Sequence, residues 1–149
     1  MMELKENIIR SVENMLREKA NEMNKQLMAV RSDAGSGGKS SMGDKYETTR
    51  EMLKQEEEKI AGQLEMCNKQ LTQVANLQLK RFSQVESGAL VRTGNLYFMI
   101  LTSLGKITVS EKEIFVISAI APVSKQMLGK SVGDQIIFNR ENHQIDEIC

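Results

Sequence analysis

Two carboxylates three residues apart, Asp44 and Glu47, open a long stretch of helix-forming sequence. That spacing is less than one helical turn, so both side chains leave the helix on one side. Paired carboxylate oxygens suit a hard cation such as Mg2+. The same spacing serves a structural purpose. Asp44 follows Gly43 and can cap the helix by accepting a backbone N–H, and Glu47 then completes a capping box. On residue type and spacing alone, the capping role carries more weight. Asp33 precedes an intervening Gly/Ser segment and is a candidate third carboxylate, although a solvated turn residue is the commoner role.

A second candidate is the loop Ala119-Ile120-Ala121-Pro122-Val123. Ile120 and Val123 beside the chain's only proline can make a small apolar contact patch. They can equally pack into a core while Pro122 starts a helix. Gly129-Lys130 and Gly133-Asp134 read as turn-shaping pairs, since a lone Gly-Lys is weak evidence for phosphate binding. His143 has no second ligand at metal-binding spacing. Cys67 and Cys149 form no C-x-x-C; Cys67 reads as a small packed hydrophobe and Cys149 as a free thiol. The chain carries no Ser-His-Asp set, phosphate-binding loop or G-x-G-x-x-G motif.

The elements that must position these residues are legible in the periodicity. Residues 1–30 lack Gly and Pro, and Ile9, Leu16, Met23 and Val30 recur every seven residues, with Val12, Ala20 and Leu27 between them. This is a coiled-coil seam. It is interrupted by Lys19 and Gln26. Ser32 to Gly43 is dense in Gly and Ser, which favour turns. The seam then resumes with Leu53, Ile60, Cys67 and Val74, and with Leu64 and Leu71 between them. The second helix is expected from Asp44 to about Phe82. Gly62 weakens it by about 1 kcal/mol relative to Ala. Glu57, within the acidic run Glu56-Glu57-Glu58, falls on a seam position. Two seams joined by a short linker predict an antiparallel pair. A helix of ~35 residues is roughly 50 Å long, so the tip near 31–43 is expected to stand far from the rest of the chain.

After Val85 the pattern changes to short segments rich in Val, Ile, Leu and Phe: 89–93, 95–101, 106–109, 113–119, 135–139 and 143–148. Turn signals separate them, and Pro122–Gly129 reads as one short helix. The expected fold is α+β, an N-terminal antiparallel two-helix coiled coil over 1–84 followed by a small antiparallel-sheet domain over 85–149.

Composition narrows the function classes. Lys plus Arg and Asp plus Glu both number 20, and neither half carries a marked excess. A protein partner is therefore favoured over bare nucleic acid. Trp is absent and aromatics make up only 4% of the chain, which leaves little surface for stacking bases and argues against an aromatic proline pocket. No apolar run approaches membrane-spanning length. The expectation is a cytosolic protein with no membrane association.

The stretch Ile117-Ser-Ala-Ile-Ala-Pro-Val-Ser-Lys-Gln-Met-Leu-Gly-Lys-Ser-Val-Gly-Asp134, together with the preceding helical pair, resembles bacterial Gre-type transcript-cleavage factors. These carry a similar Ser-x-x-x-Pro segment ending in Gly-Lys-x-x-Gly-Asp. The resemblance spans nearly the whole chain. It implies an FKBP-like C-terminal domain, RNA polymerase as partner, and a coiled coil that enters the enzyme's secondary channel. In the family a Gly-Asp-x-x-Glu at the tip helps hold the second Mg2+ at the polymerase active centre, near the nascent RNA 3′ end. Here Gly43-Asp44-Lys45-Tyr46-Glu47 matches that pattern, which makes Asp44 and Glu47 the catalytic and Mg2+-binding candidates. It implies no tightly bound cofactor. The loop Ile120, Ala121, Pro122 and Val123 takes the place of the family's docking loop on the polymerase rim, although many members have an acidic or amide residue where Ile120 stands. The sequence also departs at the tip. Aligned without gaps from Tyr46 to Ile60, the family's two acids fall on Lys39 and Met42. Asp44 and Glu47 replace them only after a shift of about one turn, ~5 Å along the axis. Stimulated RNA cleavage and non-cleaving modulation of elongation therefore both stay open. A coiled-coil scaffold or dimerising protein without cleavage activity is the alternative, and a monomer is favoured.

Overall fold

The structure, a computed structural model, describes residues 1–36 and 43–149, and the side chains of residues 34–46 lie outside what it describes. Two long helices come first, α1 (Met2–Ser36) and α2 (Gly43–Ala75). They are followed by β1 (Leu90–Thr93), β2 (Leu96–Ile100), β3 (Gly105–Val109), β4 (Lys112–Ile117), the short helix α3 (Pro122–Met127), β5 (Gln135–Phe138), β6 (Glu141–Gln144) and β7 (Glu147–Ile148). The fold is α+β. Contacts divide the chain into two compact units, Met1–Glu13 with Gln73–Cys149, and Asn14–Thr72.

The unit Asn14–Thr72 is a helical hairpin. Cys67 Sγ donates to the Leu16 carbonyl at 3.2 Å, and Arg31 Nε donates to Glu57 Oε1 at 2.8 Å. Position rises along α1 as it falls along α2, so the helices are antiparallel. Leu27, Val30 and Ile60 form the buried centre of the seam, flanked by half-buried Met23, Leu53, Ala61 and Leu64. Glu57 does sit among these seam residues, and Arg31 pairs with it.

Helix α1 departs from the heptad near its start. Ile8 is buried and Ile9 only half-buried. The buried positions Ile8, Val12, Leu16 and Ala20 step by four, and each such step advances about 40° past a full turn. The buried stripe therefore winds around the helix before the heptad spacing takes over at Met23. Ser32–Ser36, expected in the tip loop, continue α1. Residues 37–42 of that loop lie outside the described set.

Helix α2 ends at Ala75, not near Phe82. Residues 77–81 are good helix formers, so tertiary contacts decide the matter. Leu77 and Phe82 lie against Gly88, whose φ is +94°, and a Cβ there would sit 2.8 Å from Leu77 Cδ1. Phe82 also packs on the margin of the sheet's core.

In the other unit, five strands run in the order β3-β4-β2-β1-β7, and β5 and β6 form a separate pair. The sheet is mixed, which corrects the all-antiparallel expectation. β4 lies parallel to β2, with Phe98 opposite Phe115 and Ile100 opposite Ile117, while β3 takes the edge beyond β4. The turn between β2 and β3 carries the chain past the neighbouring position, and the β3–β4 hairpin brings β4 back to fill it. The expected strand 143–148 divides into β6 and β7, separated by Ile145 and Asp146. Strand alternation places Phe98 and Ile100 on one face and Met99 and Leu101 on the other, and all four are buried. Both faces of the sheet are therefore covered. On the first face Val91, Phe98, Ile100, Met127, Ile136 and Ile145 make one continuous core. Phe98 stacks on Phe115 at 5.4 Å and meets the edge of Phe138 at 5.2 Å. Among the described residues, no helix is long and apolar enough to cross a membrane.

Candidate functional site

Asp44 is the second residue of α2 and Glu47 the fifth, so the backbone carries both on the first turn and a half of that helix. The Asp44 side chain lies outside the described set. Glu47 is exposed and lines a shallow surface groove with Arg50, Glu51, Lys54 and Glu57. Three acidic and two basic side chains alternate along that groove, the pattern of a solvated helix face. Asp33 is exposed on α1, in a helix where a turn was expected. Among the described residues, no group of three or more His, Cys, Asp or Glu side chains is placed to hold a metal ion.

The loop Ala119–Val123 separates into two kinds of residue. Ile120 is 78% exposed. Ala119 and Val123 pack against the core, and Pro122 is the first residue of α3. The loop is closed by Ala121 N–H donating to Ser118 O at 3.1 Å and Lys125 N–H to Ala121 O at 2.9 Å. Ile120 is thus presented on a fixed turn, while Val123 is mainly a packing residue. Three further apolar side chains around α3 and β5 are exposed: Leu128, Val132 (58%) and Ile137 (57%). Sequence reasoning missed them. The signal was present in strand alternation, because Ile136 and Ile137 are adjacent in a strand and only one can face the core.

The Gly-Lys and Gly-Asp pairs shape turns, as expected. Gly129 and Gly133 have φ of +82° and +96°. Lys130 Nζ donates to the Gln135 carbonyl, and Asp134 Oδ2 accepts from Ser131 N–H at 2.8 Å. Lys130 is therefore committed to its own loop. Gln126 Oε1 accepts from Ile137 N–H at 3.0 Å, which ties α3 to β5. His143 lies 6.3 Å from the Phe138 ring, with Glu141 Oε2 4.0 Å from its Nε2. Cys67 and Cys149 are both free, as expected, and both are buried.

Sequence reasoning also missed Lys5. Its side chain is fully buried, at 0% exposure. Nζ donates to Lys80 O at 2.7 Å and to Cys149 O at 2.9 Å, and lies 4.6 Å from the Phe82 ring centroid. Burial lowers its pKa from the ordinary lysine value, attraction from Cys149 raises it, and Lys80 lowers it further.

Compared with protein-family models, curated proteins and solved structures, the chain matches none of them.

Proposed function

We propose that this chain is a Gre-like regulator of bacterial RNA polymerase acting in the cytoplasm. In this reading the sheet-bearing body is FKBP-like and docks on the enzyme through the turn that presents Ile120. The helical hairpin enters the secondary channel and brings Asp44 and Glu47 toward the nascent RNA 3′ end. One conjunction carries the reading. An antiparallel helical hairpin whose second helix begins Gly43-Asp44-x-x-Glu47 shares a chain with an α+β body containing the Ile117–Asp134 segment. Helices of 35 and 33 residues are about 50 Å long, sufficient to reach into a deep pore.

Two carboxylates supply only part of the oxygen shell of Mg2+, so the ion would be shared with ligands of the polymerase. A two-metal centre can stabilise both the attacking and leaving oxygens of a phosphodiester. The chemistry would then belong to the polymerase, and Asp44 and Glu47 would tune it. The test is a binding and cleavage assay on stalled elongation complexes. The expected result is binding at micromolar concentration or tighter, with the Asp44→Ala, Glu47→Ala double variant still bound but inactive. Failure to bind core polymerase removes the proposal. Binding without cleavage in either form assigns the modulating role.

A non-catalytic dimerising hairpin is the competing reading. It is favoured by Met28, Met52 and Met66, large apolar side chains left exposed on the helices. It predicts a dimer in sedimentation, whereas the polymerase reading predicts a monomer.

A further inference from the structure

Three stretches distant in sequence meet at one ammonium group. Lys5 comes from α1, Lys80 and Phe82 from the connector after α2, and Cys149 from the residue following β7. All belong to the same compact unit. An ammonium has three donors. Two of them are used by the Lys80 and Cys149 carbonyls at 2.7 and 2.9 Å, and the Phe82 ring at 4.6 Å attracts the remaining positive charge. Lys80 Nζ lies 4.9 Å from the same ring centroid. Each tethered stretch has further anchors. Cys149 and Leu90 exchange two backbone hydrogen bonds of 2.8 Å, and Val85 N–H donates to Lys130 O at 2.9 Å.

A buried charge is a poor source of stability, because desolvation offsets much of what its partners return. An apolar side chain of similar volume would fill the space but would take a donor away from the Lys80 and Cys149 carbonyls. What the ammonium adds is direction. It donates to carbonyls within reach of Nζ and so favours one placement for each stretch of backbone.

We infer that Lys5 is a conformational latch, holding the connector over 76–84 and the backbone that follows β7 against α1 so that both stretches open and close together. This stands apart from the polymerase reading and does not depend on it.

Amide hydrogen exchange on the full chain tests the latch, with Lys5→Met as the variant. The amides of Cys149 and Leu90 report on the last strand, and those of Leu77 and Val85 on the connector. Strands β2 and β4 serve as the internal reference. The expected result is exchange about tenfold faster in both reporter groups, the order of one lost charged hydrogen bond, with β2 and β4 unchanged. Phe82→Leu keeps the ammonium and its two carbonyls and replaces the ring by an aliphatic side chain that can still pack on the core margin beside Gly88. It should show the same two-stretch pattern with smaller amplitude, which keeps the inference testable if Lys5→Met does not fold. Faster exchange in only one stretch, or in neither, overturns it.

Discussion

The two compact units bury their apolar residues in different ways. The sheet-bearing unit has the larger and more deeply buried core, with Phe98, Ile100, Met127, Ile136 and Ile145 each essentially inaccessible and half-buried Phe82, Phe115 and Phe138 packed at its margin. The hairpin has a single seam, and around Leu27, Val30 and Ile60 the packing partners Met23, Leu53 and Leu64 are only half-buried. A deeply buried core loses stability whenever a side chain is truncated, because its neighbours cannot collapse into the space. A two-helix seam open to water on both sides can relax. The hairpin should therefore tolerate sequence change that the body does not. Among described positions, the candidate acid Glu47 lies in the tolerant unit and the candidate contact Ile120 in the intolerant one.

The largest expected effect tests that contrast directly. Phe98→Ala removes a ring that touches both Phe115 and Phe138, and should cost about 3–5 kcal/mol in chemical unfolding. Ile60→Ala in the seam should cost about 2 kcal/mol, the low end of its class, because water enters where the methyls were. Equal costs would show that the hairpin core is as deeply buried as that of the body. Next in size is Gly88→Ala. Its φ of +94° and the 2.8 Å approach of Leu77 Cδ1 penalise any Cβ, and a loss of roughly 1–3 kcal/mol is expected, with Leu77 and Phe82 displaced. A neutral Gly88→Ala would mean that the connector is not held against this glycine.

These positions also show what the sequence made legible. The hairpin seam is almost wholly local information: the heptad positions at Leu16, Met23, Val30, Ile60 and Cys67 follow from spacing, and the structure places them in or beside the buried stripe. The end of α2 was not legible, because residues 77–81 favour helix and are drawn out by Gly88, thirteen positions later than Ala75. The parallel pairing of β2 with β4 was hidden for a similar reason. Short strands separated by turn signals look the same whether a neighbouring position is filled at once or one hairpin later. Of the candidate site residues, the chemistry of Asp44 and Glu47 was visible in type and spacing, and so was Pro122 as a helix start. The division of labour between Ile120 and Val123 was not, since both are apolar and only packing distinguishes them.

A smaller prediction sharpens the account of the hairpin. Glu57 occupies a seam position, and its partner Arg31 is more than half exposed. Such a pair contributes about 0–1 kcal/mol. Glu57→Leu should therefore be neutral or stabilise the hairpin by up to about 1 kcal/mol, because a seam leucine buries apolar area. Slower amide exchange over 53–64 is the readout. A clear loss of protection would instead give the Arg31–Glu57 pair a role in fixing the register of the two helices.

The smallest effect concerns the one buried charge of the body. Burial holds the pKa of Lys5 below its ordinary value, with Lys80 acting in the same direction and Cys149 against them. Between the folded value and about 10.5, the unfolded chain binds the Lys5 proton more fully than the folded chain does. Stability should therefore rise with pH across that alkaline window and level off above it. Below the folded value, the cost of carrying the charge is present in full. Other lysines and the two tyrosines also titrate at alkaline pH, so the quantity to measure is the difference between the wild type and Lys5→Met. That difference should move in favour of the wild type as pH rises through the window. A difference that stays flat would mean the ammonium is as well solvated by its two carbonyls and the Phe82 ring as it is in water, and that holding the latch costs the body nothing.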